Sequence, residues 1–439
     1  MARSDRYHSG DNTDQRNAFQ RDRDRLLYCS AFRRLAEVTQ VVSAAEGHSF
    51  HNRLTHSLKV GQIARRLAEK LIVDQPTEAD ALGLHPEVAE AAALAHDLGH
   101  PPFGHLAEEE LNSLAKEEGI NGGFEGNAQS FRIVTKLAIR TENYPGLNLT
   151  AATLNGILKY PWFRQKDGES SRKWGVYESE RAEFQWARSA SSTASNTRTV
   201  EAELMDWADD IAYSVFDVDD FYRAGLIPLD QVFASKVERD RFLESAGERL
   251  KKWKKDPKPI LSAFEELVET FPPMSLKGQY QGTTDQRALL RDWTSRLVAR
   301  YVHGISLALP ENTSHRCIRI EQGLKNEVDS LKQLVWHYVI ESDRLLTQQH
   351  GERMVIRSLF GLFMMQIGKG NYDIFGEPCR RALRAIDQSA KSGDWADDKI
   401  KEERVRVVID LIASMTESQA VRLNHRLTGV AIGSIHDHF

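Results

Sequence analysis

Cysteine is nearly missing from this chain: Cys29, Cys317 and Cys379 are the only three in 439 residues. They show no CxxC spacing and cannot all pair, so a disulfide scaffold is excluded and a reducing cytoplasm is the expected setting. The three thiols read as small buried apolar groups. No apolar run approaches the ~18 residues a bilayer span needs. The start, Met1-Ala2-Arg3-Ser4-Asp5-Arg6-Tyr7-His8, has no apolar secretion core. The expectation is a protein that neither crosses a membrane nor leaves by such a signal. One-sided charge is also lacking: a net charge of −5 with 28% charged and 41% hydrophobic residues describes a globular chain, not a disordered one or a dedicated polyanion binder. The GxxxxGK[ST], GxSxG and HExxH signatures are absent. Gly368 and Gly370 lack the rest of a dinucleotide fingerprint and its preceding strand, and read as a turn.

Strand signals are scarce, while apolar residues recur at three- and four-residue spacing, so the expected class is all-α. The length suits two or three packing units or one large helical core. Asn17 to Glu37 patterns as helix, with Phe19, Leu26, Leu27, Phe32 and Leu35 available for burial, and Ser43 to His48 interrupts it. A helix from about Thr55 to Leu71 is expected to turn Leu58, Ile63, Leu67 and Leu71 inward, with His56 in its first turn. Pro86 suits a first helical position, and a helix from there packs Val88, Ala92 and Ala95 and stops at Gly99. Helix resumes over Gly104 to Ala115, loops through Asn121 to Asn127, and resumes over Ala128 to Ile139. Residues 165–197 are polar, serine-rich and poorly periodic, and read as an exposed, mobile insertion. After Val200 a patterned helix carries Leu204, Trp207, Ile211 and Val215. Residues 1–225 read as the core and 226–439 as a helical extension packed on it, with weak breaks near Pro310 and over Gly368 to Pro378.

The chemistry concentrates in Ala95-His96-Asp97-Leu98-Gly99-His100-Pro101-Pro102-Phe103-Gly104-His105. An adjacent His96-Asp97 pair at a helix end offers one imidazole and one carboxylate, a mixture a borderline divalent ion accepts. Further ligands must come from elsewhere. His105 and Glu108 share a helical face. Asp209, Tyr213 and Asp217, four apart in succession, form one stripe. On its own that helix, with Asp206, Asp210, Asp219 and Asp220 besides, reads as a solvated acidic face.

Six segments in order change that reading. They are Gln20 to Arg25, Ser30-Ala31-Phe32-Arg33-Arg34-Leu35, Arg53-Leu54-Thr55-His56-Ser57-Leu58, His96 to His105, Phe124-Glu125-Gly126-Asn127-Ala128-Gln129, and Ala208-Asp209-Asp210-Ile211-Ala212-Tyr213. Together they resemble the HD-domain dNTP triphosphohydrolases, the bacterial dGTPase group. They span about half the chain, and Ser414-Met415-Thr416 is similar to a segment near the family's C-terminus. The resemblance implies an HD-domain helical core with a C-terminal helical extension. It also implies hydrolysis of a deoxynucleoside triphosphate, with dGTP the favoured guess, to deoxynucleoside and tripolyphosphate. Carried over by position, His56, His96, Asp97 and Asp209 hold one divalent metal, Mn or Mg or alternatively Fe, Co or Ni. His105 becomes the proton-trading group, since imidazole titrates near neutral pH, and Glu108 orients it. Arg53, His100 and Lys173 fall at phosphate-contacting positions, although Lys173 lies in the irregular insertion. Gln40 and Asp217 fall where relatives hold the 3′-hydroxyl, and Val41 and Tyr213 where they crowd the 2′ position; Val41 equally suits the core. Several relatives carry a histidine where this chain has Gly126, which leaves His105 more of the proton transfer.

The same resemblance implies a homo-oligomer, hexameric or tetrameric. Lys251-Lys252-Trp253-Lys254-Lys255 is a basic run around an aromatic that could contact single-stranded DNA, or simply a solvated helix end. Two other readings stand beside the main one. The first is an HD-type phosphohydrolase acting on a nucleoside monophosphate, a cyclic nucleotide or guanosine tetraphosphate. The second is a catalytically silent nucleotide- or nucleic-acid-binding module. Base preference is not legible in the sequence.

Overall fold

Helical spacing decides almost every element. The computed structural model describes residues 1–9, 14–41, 52–165, 169–191, 196–271, 278–309 and 316–432. Among them are nineteen α-helices and a single two-stranded antiparallel ribbon, Ile305–Leu307 with Ile318–Ile320. The all-α expectation holds. The interruption at Ser43 to His48, the break at Pro310 and parts of the 165–197 segment lie outside the described residues.

The N-terminal stretch is helical but broken. Ala18–Tyr28 and Ser30–Arg34 are separated at Cys29, whose ψ of 149° is extended, and a 3₁₀ turn follows over Leu35–Glu37. The next helix, Arg53–Asp74, starts where the Asn52 side chain accepts the Thr55 N–H at 3.0 Å, an N-cap that satisfies one orphan donor. It buries His56, Val60, Ile63, Ala64, Leu67, Ala68 and Leu71. Leu58, expected inward, is 45% exposed. Two residues beyond His56 it falls on the opposite side of a 3.6-residue turn. The helix packs chiefly on Pro86–Ala95 and on Val200–Arg223, which buries Leu204, Trp207, Ile211 and Val215 as expected.

The expected exposed insertion is corrected by its aromatics. Trp174, Tyr177 and Phe184 are nearly fully buried, and Arg181–Ser189 forms a helix. Polar spacing hid a few large side chains, and these settle the burial of the segment. Helix also begins earlier than expected after the glycine-rich loop, at Gly126, where the Glu125 carboxylate accepts the N–H groups of Asn127 and Ala128.

Two large hydrophobic cores result, beside a small third cluster of Ala128, Trp174 and Tyr177. The larger runs without a break through residue 225, from Leu26 to Leu345. The smaller joins Phe103, Leu106, Leu111 and Phe124 to side chains between Ile356 and Leu423. The His105–Glu117 helix thus faces the C-terminal helices together with Phe103 and Phe124 on either side of it, while the Pro86–Ala95 helix lies in the larger core. The basic run ends the Lys236–Lys252 helix, where Trp253 packs edge-on against Trp336 with ring centroids 5.0 Å apart. Cys29 and Cys317 are buried free thiols and Cys379 is partly buried.

Candidate metal centre and active site

Three helices deliver the candidate ligands. His56 sits in the first turn of Arg53–Asp74, His96 and Asp97 follow the end of Pro86–Ala95, and Asp209 lies mid-way along Val200–Arg223. The turn after His96 is held by close backbone approach. A Cβ on Gly99 would lie 2.0 Å from the Gly126 carbonyl oxygen, so no larger residue fits there. Ser130 Oγ accepts the Gly99 N–H at 2.9 Å and lies 3.0 Å from the His96 carbonyl, to which it donates.

Asp209 Oδ1 stands 3.0 Å from His56 Nε2 and 3.6 Å from His96 Nε2. The three donor atoms lie within 4.8 Å of one another. Asp97 Oδ1 approaches His96 Nε2 at 3.4 Å, and its Oδ2 accepts from the Arg53 guanidinium at 2.7 Å. His96 Nδ1 donates to the Ala93 carbonyl at 2.6 Å, which turns Nε2 toward the carboxylates. That Nε2 is buried and makes no hydrogen bond. Burial opposes charge on His96, but Asp97 and Asp209 outweigh it and raise its pKa to about 9. The cluster therefore demands a positive charge, and a borderline divalent ion suits its imidazole and carboxylate donors. The residues fit the metal.

Asp97 links this centre to a second cluster. His100 Nδ1 lies 3.0 Å from Asp97 Oδ1, and burial together with the Arg53 charge pushes His100 down to about 4. Its ring meets that of His105 edge-on at 4.8 Å. His105, with 68% of its side chain exposed, places Nδ1 2.9 Å from Glu108 Oε2. Lys173 Nζ donates to Glu108 Oε1 at 2.8 Å and lies 3.1 Å from Glu125 Oε1. Burial and the Glu108 charge raise Glu125 to about 7. Gly126 stands against the His100 ring, where an added Cβ would sit at an ordinary 3.6 Å.

The candidates for the sugar divide. Gln40 Oε1 and Asp217 Oδ2 are both buried acceptors with no donor. Burial, with the charges of Asp220 and Asp209, holds Asp217 well above the usual carboxylate range. Tyr213 is half-buried, its phenol pushed up by burial and then by Asp217 and Asp209. Val41 packs against the larger core. Sequence reasoning missed Lys159, whose Nζ lies 2.7 Å from Asp206 and 3.4 Å from Asp209. It also missed the buried Glu125. Lys159 belongs to no periodic pattern, and Glu125 sat inside a quoted motif with no role attached.

The HD domain family matches residues 53–214, and the phosphohydrolase-associated domain matches residues 318–426. A deoxyguanosinetriphosphate triphosphohydrolase-like protein of Streptomyces coelicolor is 36% identical over 94% of this chain and 93% of its own. The chain belongs to the deoxyguanosinetriphosphate triphosphohydrolase-like family. It is a hydrolase of the HD type. Two further members of that family, identically described, come from Corynebacterium efficiens and a Caulobacter species. The first is 35% identical over 95% of this chain and 93% of its own, the second 32% over 95% and 91%. No helix among the described residues is long and apolar enough to cross a membrane.

Proposed function

We propose that the chain hydrolyses deoxynucleoside triphosphates, dGTP foremost, to the deoxynucleoside and tripolyphosphate, with one divalent cation held by His56, His96, Asp97 and Asp209. The observation that carries this reading is the buried His96 Nε2, without a hydrogen bond and facing Asp97 and Asp209, in a chain whose relatives are named for dGTP. A divalent cation held by these residues would supply Lewis acidity for attack of water at the α-phosphate.

The chain's own groups do the rest. His105, exposed to solvent and oriented by Glu108, trades the proton with the attacking water or the 5′-oxygen. Arg53, Lys173 and the neutral His100 line the phosphate path. Arg53 is the planar fork that a phosphate prefers, held in place by Asp97. Lys173 already neutralises two carboxylates, and its contact with phosphate requires release from one of them. Gln40 and Asp217 offer free acceptors to a sugar hydroxyl donor, while Val41 and Tyr213 bound the 2′ side. A ribose hydroxyl there meets a wall, which discriminates more sharply than one lost apolar contact. The resemblance further supports a tetramer or hexamer, which light scattering reads directly.

Product analysis tests the reading. Each of the four dNTPs and GTP is incubated with Mn or Mg and the products are resolved by ion exchange. Tripolyphosphate and deoxynucleoside from a dNTP are expected. Orthophosphate or pyrophosphate as the released anion contradicts the proposal and favours another HD-type phosphohydrolase; no turnover favours the silent module.

A further inference from the structure

The two candidate clusters rest on backbone that leaves regular structure at two places. Phe103 has a φ of +68° and Gly104 a φ of +61°, immediately before the helix that begins with His105. A left-handed φ on phenylalanine is strained and persists only when its surroundings hold it. The second place is Thr39, just before Gln40 and Val41. It pairs as an isolated antiparallel bridge with Asn52, the cap of the helix that carries Arg53 and His56. The two segments touch: a Cβ on Gly104 would come 3.3 Å from the Thr39 carbonyl and 3.0 Å from the Arg53 guanidinium.

One carboxylate oxygen from the far end of the chain grips both. Glu417 Oε1 accepts the Thr39 N–H at 2.6 Å and the Phe103 N–H at 3.2 Å. Glu417 is buried, 7% exposed, in the first turn of the Glu417–Leu427 helix, and Thr416 caps that helix in a capping box with Gln419. A cross-brace lies beside it. Arg34 donates through one nitrogen to the Met415 carbonyl at 3.1 Å, and through the other to the carbonyls of Leu98 and His100 at 2.9 and 2.7 Å. Among the described residues the Thr39 and Phe103 N–H groups show no acceptor besides Glu417.

We propose that Glu417 is a positioning residue through which the C-terminal helices set the geometry of the active site. It fixes the Phe103-Gly104 turn that aims His105, and the Thr39 segment that presents Gln40 and Val41. The phosphohydrolase-associated region, residues 318–426, thereby acquires a defined task. This inference rests on the hydrolase reading above for its kinetic consequence. Its structural half stands apart from it, because the bonds from Glu417 reach backbone and not substrate.

Full-length wild type, Glu417→Gln, Glu417→Asp and Glu417→Ala are compared with Mn present. The readouts are amide exchange at Thr39 and Phe103, kcat and KM for the best dNTP, the preference for that dNTP over its ribonucleotide, and Mn affinity by calorimetry. Glutamine keeps an acceptor oxygen in place, so both amides stay protected and kcat stays within about threefold. Alanine loses protection at both amides and lowers kcat on the order of 10- to 100-fold, the scale of a small misplacement of reacting groups. It also lowers the sugar preference about tenfold and leaves Mn affinity within about twofold. A folded alanine variant with wild-type kcat and sugar preference overturns the proposal, as does a glutamine variant as impaired as alanine or a parallel loss of Mn affinity. If alanine does not fold, aspartate decides: partial loss of protection and rate is expected, and wild-type values overturn it. If the wild type turns over no dNTP, the functional reading falls by itself and exchange alone judges Glu417. Deprotection of Thr39 and Phe103 in the alanine or aspartate variant then supports the clamp, and unchanged protection refutes it.

Discussion

At the residue scale the site is governed by what each side chain is denied. His96 is buried with no hydrogen bond to its Nε2, Asp217 and Gln40 keep acceptors without donors, and Gly99 has no room for a methyl group. The glycine gives the simplest test. Gly99→Ala forces a carbon against the Gly126 carbonyl and should cost at least ~3 kcal/mol of stability by displacing the turn that carries His96 and Asp97. Thermal unfolding measures it, and an unchanged midpoint would show that the turn can relax. His105 is different, since most of its side chain is exposed and its partner is Glu108. His105→Ala should leave Mn affinity intact and lower kcat by ~10²- to 10⁴-fold. A variant retaining full rate would remove His105 from the proton-transfer role.

At the scale of elements, the segment holding Lys173 makes a pH-dependent prediction. Glu125 has its ordinary value of 4.5 raised to about 7, by burial first and by Glu108 next, against the pull of Lys173. A carboxyl whose folded pKa is raised contributes stability below its unfolded pKa, and that contribution is lost as pH rises through the folded value. Removing the cation raises Glu125 further and extends the loss upward. Lys173→Met should therefore depress the melting temperature more at about pH 8 than at about pH 6; equal depression at the two would sink this account of the trio. The same segment shows how legibility depends on signal. The Val200–Arg223 helix could be read because Leu204, Trp207, Ile211 and Val215 repeat on one face. The Lys173 region could not, because Trp174, Tyr177 and Phe184 bury it without a period. Leu58 misled because a leucine in an amphipathic stretch looks inward until the phase of the helix is known.

At the scale of the whole molecule, segments distant in sequence are brought to one site. His56, His96 and Asp209 meet across more than 150 residues, the span between His56 and Asp209. Their identities were legible because the HD pair and its companions follow a family order. Their meeting was not, since nothing in the spacing of His56 and Asp209 encodes a 3.0 Å approach. Contacts to backbone were the least legible. Glu417 and Arg34 act by hydrogen bonds to peptide groups, which leave no trace in residue type. The packing of the His105–Glu117 helix on residues 356–423, and not in the larger core, likewise emerges only in three dimensions. On the function proposed above, this convergence holds a cation. Metal content by mass spectrometry after loading with Mn and desalting, on wild type and Asp209→Ala, tests it most directly. One ion per wild-type chain is predicted, with a stabilisation of about 3 kcal/mol when free Mn exceeds its Kd about a hundredfold, and none in the variant. Equal Mn content and equal stabilisation in both proteins would contradict it.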